Sequence, residues 1–215
     1  MNPDANASRA VPLSQRTLVR ELERTLTGCK RILELGCGES SPLLYLAQRF
    51  HIEGLDVFEP WLNRCVEKGL LKRGHLGDVR EIDSLFEENS FDAVVALDLI
   101  EHLEKEEGLK LIEDMKRISS NKVIIFTPNG FVHQSGDDNP WMEHKSGWTV
   151  DEFEQHGFKV TGTYGWKALR GEYAALKYRP RFFWGALSEA TQLLYSHNHP
   201  RSAFSLFAAY GSDSK

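Results

Sequence analysis

Glu34 sits inside an apolar run, Arg31-Ile32-Leu33-Glu34-Leu35, that breaks at once into Gly36-Cys37-Gly38-Glu39-Ser40-Ser41. A carboxylate in a buried strand is costly unless a partner meets it, so a cation is expected where the strand ends. A glycine-rich turn that opens onto a helical pattern suits a nucleotide-like ligand held on backbone N–H groups. The ammonium of S-adenosylmethionine would satisfy Glu34, whereas the pyrophosphate of a dinucleotide would be repelled by it. Ser41 also stands where the dinucleotide pattern has its third glycine. Asp56 follows Gly36 by twenty residues, the distance at which nucleotide sites place an acid for the ribose hydroxyls. Asp78, after Gly77, can accept from an adenine amino group, and Asp98 ends a further apolar run.

A second constellation has different chemistry. In Asp98-Leu99-Ile100-Glu101-His102, spacings of three and four put Asp98, Glu101 and His102 near one face if the segment makes a helical turn. His144, in Glu143-His144-Lys145-Ser146-Gly147-Trp148, follows a neighbouring strand. Two carboxylates and two imidazoles make a mixed oxygen and nitrogen site for Mg²⁺ or Mn²⁺. Without a metal, His102, His133 and His144 are the candidate general bases. The loop from His133 to Trp148 also offers Asp137, Asp138 and Trp141 as substrate contacts.

These residues need a frame. Leu18, Leu22 and Leu26 recur at helical spacing, which predicts a helix over residues 13–26. Strands are predicted at 31–35, 51–57, 73–76, 91–97, 122–126 and 158–163, with helices at 41–50, 60–68, 104–117 and 149–156. Thr149 followed by Glu152 reads as a capping box for the last helix. Such alternation predicts an α/β, doubly wound parallel sheet in a single domain of 215 residues. Ligands in these sheets bind beyond the carboxyl ends of the strands, where every acid singled out above falls.

The ordered set Glu34-Leu35-Gly36-Cys37-Gly38, Leu55-Asp56, Gly77-Asp78 and Phe91-Asp92-Ala93-Val94 resembles the class I S-adenosylmethionine-dependent methyltransferases, over residues 13–163. The resemblance implies a Rossmann-like sheet of seven strands whose last strand, supplied by residues 203–209, is antiparallel. It further implies that Glu34, Gly36, Cys37 and Gly38 line the methionine end of the cofactor and Asp56 and Val57 the ribose. Asp78 and Val79 would then face the adenine, and Asp98 would border the sulfonium. The Asp98-x-x-Glu101-His102 segment, the Thr127-Pro128-Asn129 turn and His144-Lys145-Ser146-Gly147-Trp148 are similar to the small-RNA terminal 2′-O-methyltransferases. That likeness implies Asp98, Glu101, His102 and His144 as metal ligands, with Asp98 standing where that family has Glu. Ubiquinone-pathway O-methyltransferases share the acid-x-x-Glu-His segment and act on a lipid-like phenol.

Composition limits the partners. A net charge of −5 argues against a nucleic-acid-coating surface. Three cysteines without C-x-x-C spacing argue against a disulfide framework or a zinc knuckle. Neither a signal-peptide pattern nor a membrane-spanning run is present, which makes a cytoplasmic protein the expectation. Residues 1–11 read as a flexible tail and 164–202 as an insertion before the last strand, a cap for substrate or for a homodimer. Within it, Phe182, Phe183, Trp184, Leu187, Ala190 and Leu194, after Arg179 and Arg181, form an apolar face. Packing on the core or a second subunit is the plainer use of that face; membrane contact through 179–195 is the sharper one. The expected activity is O-methylation of a small molecule by a monomer or homodimer. A metal-dependent RNA 2′-O-methyltransferase and a non-catalytic cofactor-binding scaffold are the alternatives.

Overall fold

A computed structural model describes residues 11–12, 15–38, 40–135, 140–171 and 174–211. The expected tail lies, apart from Val11, outside the described residues, as do Asp137 and Asp138. Seven strands form one sheet: β1 (Arg31–Leu35), β2 (His51–Asp56), β3 (Arg73–Leu76), β4 (Phe91–Leu97), β5 (Ser119–Pro128), β6 (Lys159–Trp166) and β7 (Ala203–Tyr210). Their order is β3-β2-β1-β4-β5-β7-β6, with β6 and β7 antiparallel. This is a Rossmann-like mixed sheet, reversed at its last strand. The chain divides into two units, one made of Met1–Leu97, Lys110–Val123 and Gly211–Lys215, the other of Asp98–Leu109 and Ile124–Tyr210.

In the first unit, β1 lies between β2 and β4, and all three run parallel. The register sets Glu34 opposite Gly54 on one side and Val95 on the other. Helix α1 (Arg16–Thr25) buries Leu18, Val19 and Leu22 at the expected spacing, and Leu26 just beyond it is buried too. Gly54 has a packing reason to be glycine. A Cβ there would stand 2.7 Å from both the Cys37 sulfur and Leu71.

The helix expected over 41–50 is instead a 3₁₀ segment, Pro42–Leu46. Leu43 and Leu46, and likewise Leu44 and Ala47, are buried pairs three residues apart. That is the repeat of the tighter 3₁₀ helix. Ser41 caps it by accepting from the Leu43 amide at 3.1 Å. The loop therefore does not open onto a long helix, and the macrodipole contribution expected for anion or nucleotide binding there is correspondingly small.

In the second unit, β7 pairs with β6 from Lys159↔Ala209 to Trp166↔Ala203, with a register shift between Thr163 and Trp166. Tyr164 and Gly165 occupy that irregularity with φ of 62° and 71°. Helix α5, counted after α2 (Glu59–Glu67), α3 (Ile82–Leu85) and α4 (Lys105–Ile118), spans Val150–Gln155. It carries the expected capping box, in which Thr149 and Glu152 exchange side-chain-to-backbone bonds. Helix α6 (Arg181–Thr191) continues into a π-helical turn, Gln192–Ser196.

The face that α6 buries departs from expectation. Ser188, Gln192 and Ser196 are buried, while Phe182, Phe183, Leu187 and Leu194, expected to pack on the core or a second subunit, are exposed and Trp184 and Ala190 half-buried. Gln192 explains the inversion: it donates to the Gly162 carbonyl (2.9 Å) and accepts from the Gly165 amide (2.8 Å). Among the described residues no helix is long and apolar enough to cross a membrane.

Candidate functional site

The loop after β1 arranges the first set of polar groups. Glu34 is 1% exposed. Its Oε1 accepts from the Ser41 hydroxyl, and its Oε2 has no hydrogen-bond partner among the described residues. Burial, followed by the neighbouring Asp56 charge and opposed by the Ser41 bond, pushes its carboxyl up to about 8. A buried orphan oxygen of this kind calls for a cationic or hydrogen-bond-donating partner. The ammonium of S-adenosylmethionine is such a group, so the residues present fit the cofactor.

Gly36 and Gly38 take φ of 63° and 50°, the left-handed region that glycine enters without penalty. That bend lets the Gly38 amide donate to Asp56 Oδ2 at 2.9 Å, while the Phe58 amide donates to Oδ1 at 2.9 Å. Asp56 is thus locked at the strand end with one acceptor site remaining on each oxygen. Val57 beside it is exposed. Cys37 is buried, and desolvation raises its thiol so far that it stays protonated. Cys29 and Cys65 are likewise buried, and none of the three forms a disulfide. Asp78 is already engaged: it caps the Arg80 amide at 2.9 Å and receives the Arg80 guanidinium. Those bonds hold its carboxyl below the usual range. Val79 is buried. Arg80 was not singled out by the sequence, because an i,i+2 pair carries no motif.

The second set lies in the other unit. Glu101 is 2% exposed and accepts from the Thr127 hydroxyl at 2.9 Å. Its own carbonyl takes the amides of Lys145 and Ser146, at 2.8 and 3.0 Å, which ties the His144 segment to the Glu101 turn. His144 Nδ1 donates to the Val132 carbonyl at 2.6 Å, and His102 Nδ1 to the Glu143 carbonyl at 3.0 Å. The two rings meet edge to face, 4.9 Å apart. One ligand atom from each of Glu101, His102 and His144 lies within 4.8 Å of the others.

Asp98, the fourth residue expected here, does not join that trio. It stands at φ 50°, its amide donating to the Phe126 carbonyl at 2.9 Å. Its side chain retains access to solvent although protein surrounds it densely, and the loss of bulk water lifts its carboxyl to about 7. Burial, reinforced by the Asp98 charge, lifts Glu101 well above the ordinary range. Desolvation lowers both His102 and His144, which are therefore neutral at pH 7. His133 is exposed and acts on His144 through its charge.

Several neighbours escaped sequence reasoning. Tyr164 tilts toward Phe126 (ring centroids 5.7 Å apart), and burial together with the Asp98 charge raises its phenol to about 12. The sequence reading ends this strand at Thr163 and gives Tyr164 to the insertion, whereas β6 runs on to Trp166, because a positive φ at tyrosine has no sequence signal. Thr127 belonged to a recognised turn, but its bond to Glu101 is long-range. Trp148 is fully buried, with its indole N–H donating to Ser146 Oγ (3.0 Å) and the Lys105 ammonium 3.6 Å from its ring centroid. Trp141 is exposed.

Residues 32–121 match a family model described as a methyltransferase domain. Among curated proteins none matches the sequence. A SAM-dependent methyltransferase from Archaeoglobus fulgidus shares the fold with a TM-score of 0.60 at 18% identity, over 91% of this chain and 92% of that one. The methyltransferase domain of bacterial CtHen1 does so with a TM-score of 0.56 at 18% identity, over 94% and 100%. Phosphoethanolamine N-methyltransferase 2 of Haemonchus contortus, solved with S-adenosyl-L-methionine, gives 0.55 at 16% identity, over 91% of this chain and 52% of that one. The matched segment identifies residues 32–121 with a methyltransferase domain, and the sheet order is the fold that the chain shares with solved S-adenosylmethionine-dependent methyltransferases.

Proposed function

We propose that the methyl acceptor is a hydroxyl of a small molecule and that His144 removes its proton. The observation carrying this reading is the tautomer of His144. With Nδ1–H committed to the Val132 carbonyl, the neutral ring presents its lone pair at Nε2. S-adenosylmethionine, when bound, supplies an electrophilic methyl group on a sulfonium. Glu34 would hold its ammonium through Oε2, and Asp56 its ribose hydroxyls beside the bonds it accepts from the Gly38 and Phe58 amides. His144 Nε2 would take the hydroxyl proton while the methyl–sulfur bond of the cofactor breaks and the oxygen–carbon bond forms, with S-adenosylhomocysteine as the leaving group. A positioned base of this type is worth roughly 10²–10⁴-fold in rate. The test is transfer from radiolabelled cofactor to catechol-like and diol acceptors, comparing wild type with His144→Asn. Loss of turnover with cofactor affinity retained is the expected result. Methylation confined to amines, or a variant with unchanged turnover, would remove oxygen and His144 from the reading.

One observation favours a second version. Glu101, His102 and His144 converge, and both imidazoles donate Nδ1–H to backbone carbonyls, as metal-ligating histidines do. Those three residues would hold Mg²⁺ or Mn²⁺, which would lower the pKa of a bound hydroxyl. A terminal RNA ribose is then the alternative acceptor, against which the net charge of −5 counts. Calorimetric Mn²⁺ titration with S-adenosylhomocysteine present, on wild type and Glu101→Ala, separates the two versions. Stoichiometric binding lost in the variant supports the metal; no binding leaves His144 as a metal-free base.

A further inference from the structure

The outer face of α6 and its π-helical extension is apolar and left uncovered by the described residues. Phe182, Leu193 and Leu194 are 81%, 75% and 83% exposed, with Phe183, Tyr195 and Tyr178 exposed around them. Side chains this bare, recurring from Tyr178 through α6 to the π-helical turn, mark this stretch as a contact surface rather than ordinary solvent-facing helix. The helix cannot roll to hide them. Its inner edge is fastened by Gln192 to Gly162 and Gly165 and by the Ser188 hydroxyl to the Tyr164 carbonyl (3.2 Å). Backbone approach there is close: a Cβ at Gly162 would stand 2.1 Å from the Ser196 carbonyl, and one at Gly165 2.3 Å from that of Ser188. The exposed apolar face is therefore fixed by the inward polar one.

Charge selects the occupant. Lys177, Arg179 and Arg181, all exposed, precede and open the helix, in a chain whose net charge is −5. The acid on α6, Glu189, acts electrostatically on Arg170 and Tyr164, on the inner side. A second copy of residues 177–195 offers these three cations a single acid, Glu189, so a dimer through this face leaves the positive charge largely unanswered. An anionic bilayer instead meets cations with headgroups, aromatic rings with the interface and leucines with acyl chains. We propose that residues 177–195 form an interfacial docking face for anionic lipid membranes.

Flotation of the full chain with phosphatidylcholine vesicles, and with vesicles containing one-quarter phosphatidylglycerol, tests this at 50 and 300 mM NaCl. Binding to the anionic vesicles at low salt, weakened by high salt, is expected. Arg179→Glu with Arg181→Glu should weaken it roughly 30-fold or more, at about tenfold in partitioning per 1.4 kcal/mol. Phe182→Glu with Leu194→Glu should weaken it at least about 100-fold. S-adenosylhomocysteine affinity, measured in parallel, should be unchanged in both variants and reports their folding. Absence of flotation by wild type at 50 mM NaCl overturns the proposal, as does flotation that both variants retain. A dimer in sedimentation, dispersed by Leu194→Glu and unaccompanied by lipid binding, would assign the face to a second copy instead.

Discussion

Cofactor affinity should rise steeply with pH because the acid proposed to meet the ammonium is protonated beforehand. Glu34, with its carboxyl pushed up to about 8, must lose a proton to form that pair. About one molecule in a hundred has Glu34 ionised at pH 6 and about one in two at pH 8, so the apparent Kd of S-adenosylhomocysteine should fall about 50-fold across that window. Calorimetry at pH 7 in buffers of different ionisation enthalpy should register release of about 0.9 proton per ligand bound. Stability without cofactor moves the other way. A carboxyl raised in the folded state contributes stability that is whole below its unfolded value of 4.5 and is lost as pH climbs to about 8. The shift from 4.5 to about 8 makes that loss at most about 5 kcal/mol. Glu34→Gln should flatten both profiles, weakening the cofactor at pH 8 while stabilising the free protein there. A Kd constant from pH 6 to 8 in the wild type, with no proton released, would refute the assignment of Glu34 to the ammonium.

Three further outcomes test the frame around the second cluster. Gly147→Ala would place a Cβ 2.3 Å from the Phe131 amide, and should cost about 2 kcal/mol or more in urea unfolding and dislodge His144. Asn129 donates through Nδ2 to the carbonyls of Pro200, Arg201 and Ala203 at 2.9–3.1 Å, so Asn129→Ala should destabilise by about 1–3 kcal/mol in the same assay. Thr127→Val removes the hydroxyl that steadies ionised Glu101 and should weaken any Mn²⁺ binding about tenfold, as read by calorimetry.

Much of the frame was legible because local pattern and burial agree. Phe91–Leu97 is apolar almost throughout and is a strand over that same range; the Thr149 and Glu152 pair announced α5. The cofactor loop was legible in Glu34, its glycines and Asp56, although their roles rest on chemistry and likeness. What escaped depends on distant partners. Nothing near Gln192 in sequence says that Gly162 and Gly165 will turn the polar side of α6 inward. The same holds for Thr127 beneath Glu101 and for Tyr164 at the irregularity of β6. The 3₁₀ segment after the loop was misread as α-helix because its leucines satisfy both periods at short range.

Strand order has a consequence for how the chain is made. β7 lies between β5 and β6, yet it is translated after both. A ribosome-bound chain lacking residues 203–210 has two strands whose shared neighbour does not yet exist, each offering unpaired amides and carbonyls to any other nascent chain. Emergence of β7 is then the event that turns a sticky intermediate into a finished sheet. Premature termination anywhere before Ala203 should give aggregates rather than a weaker enzyme, and slow synthesis over codons 203–210 would prolong the dependence on chaperones.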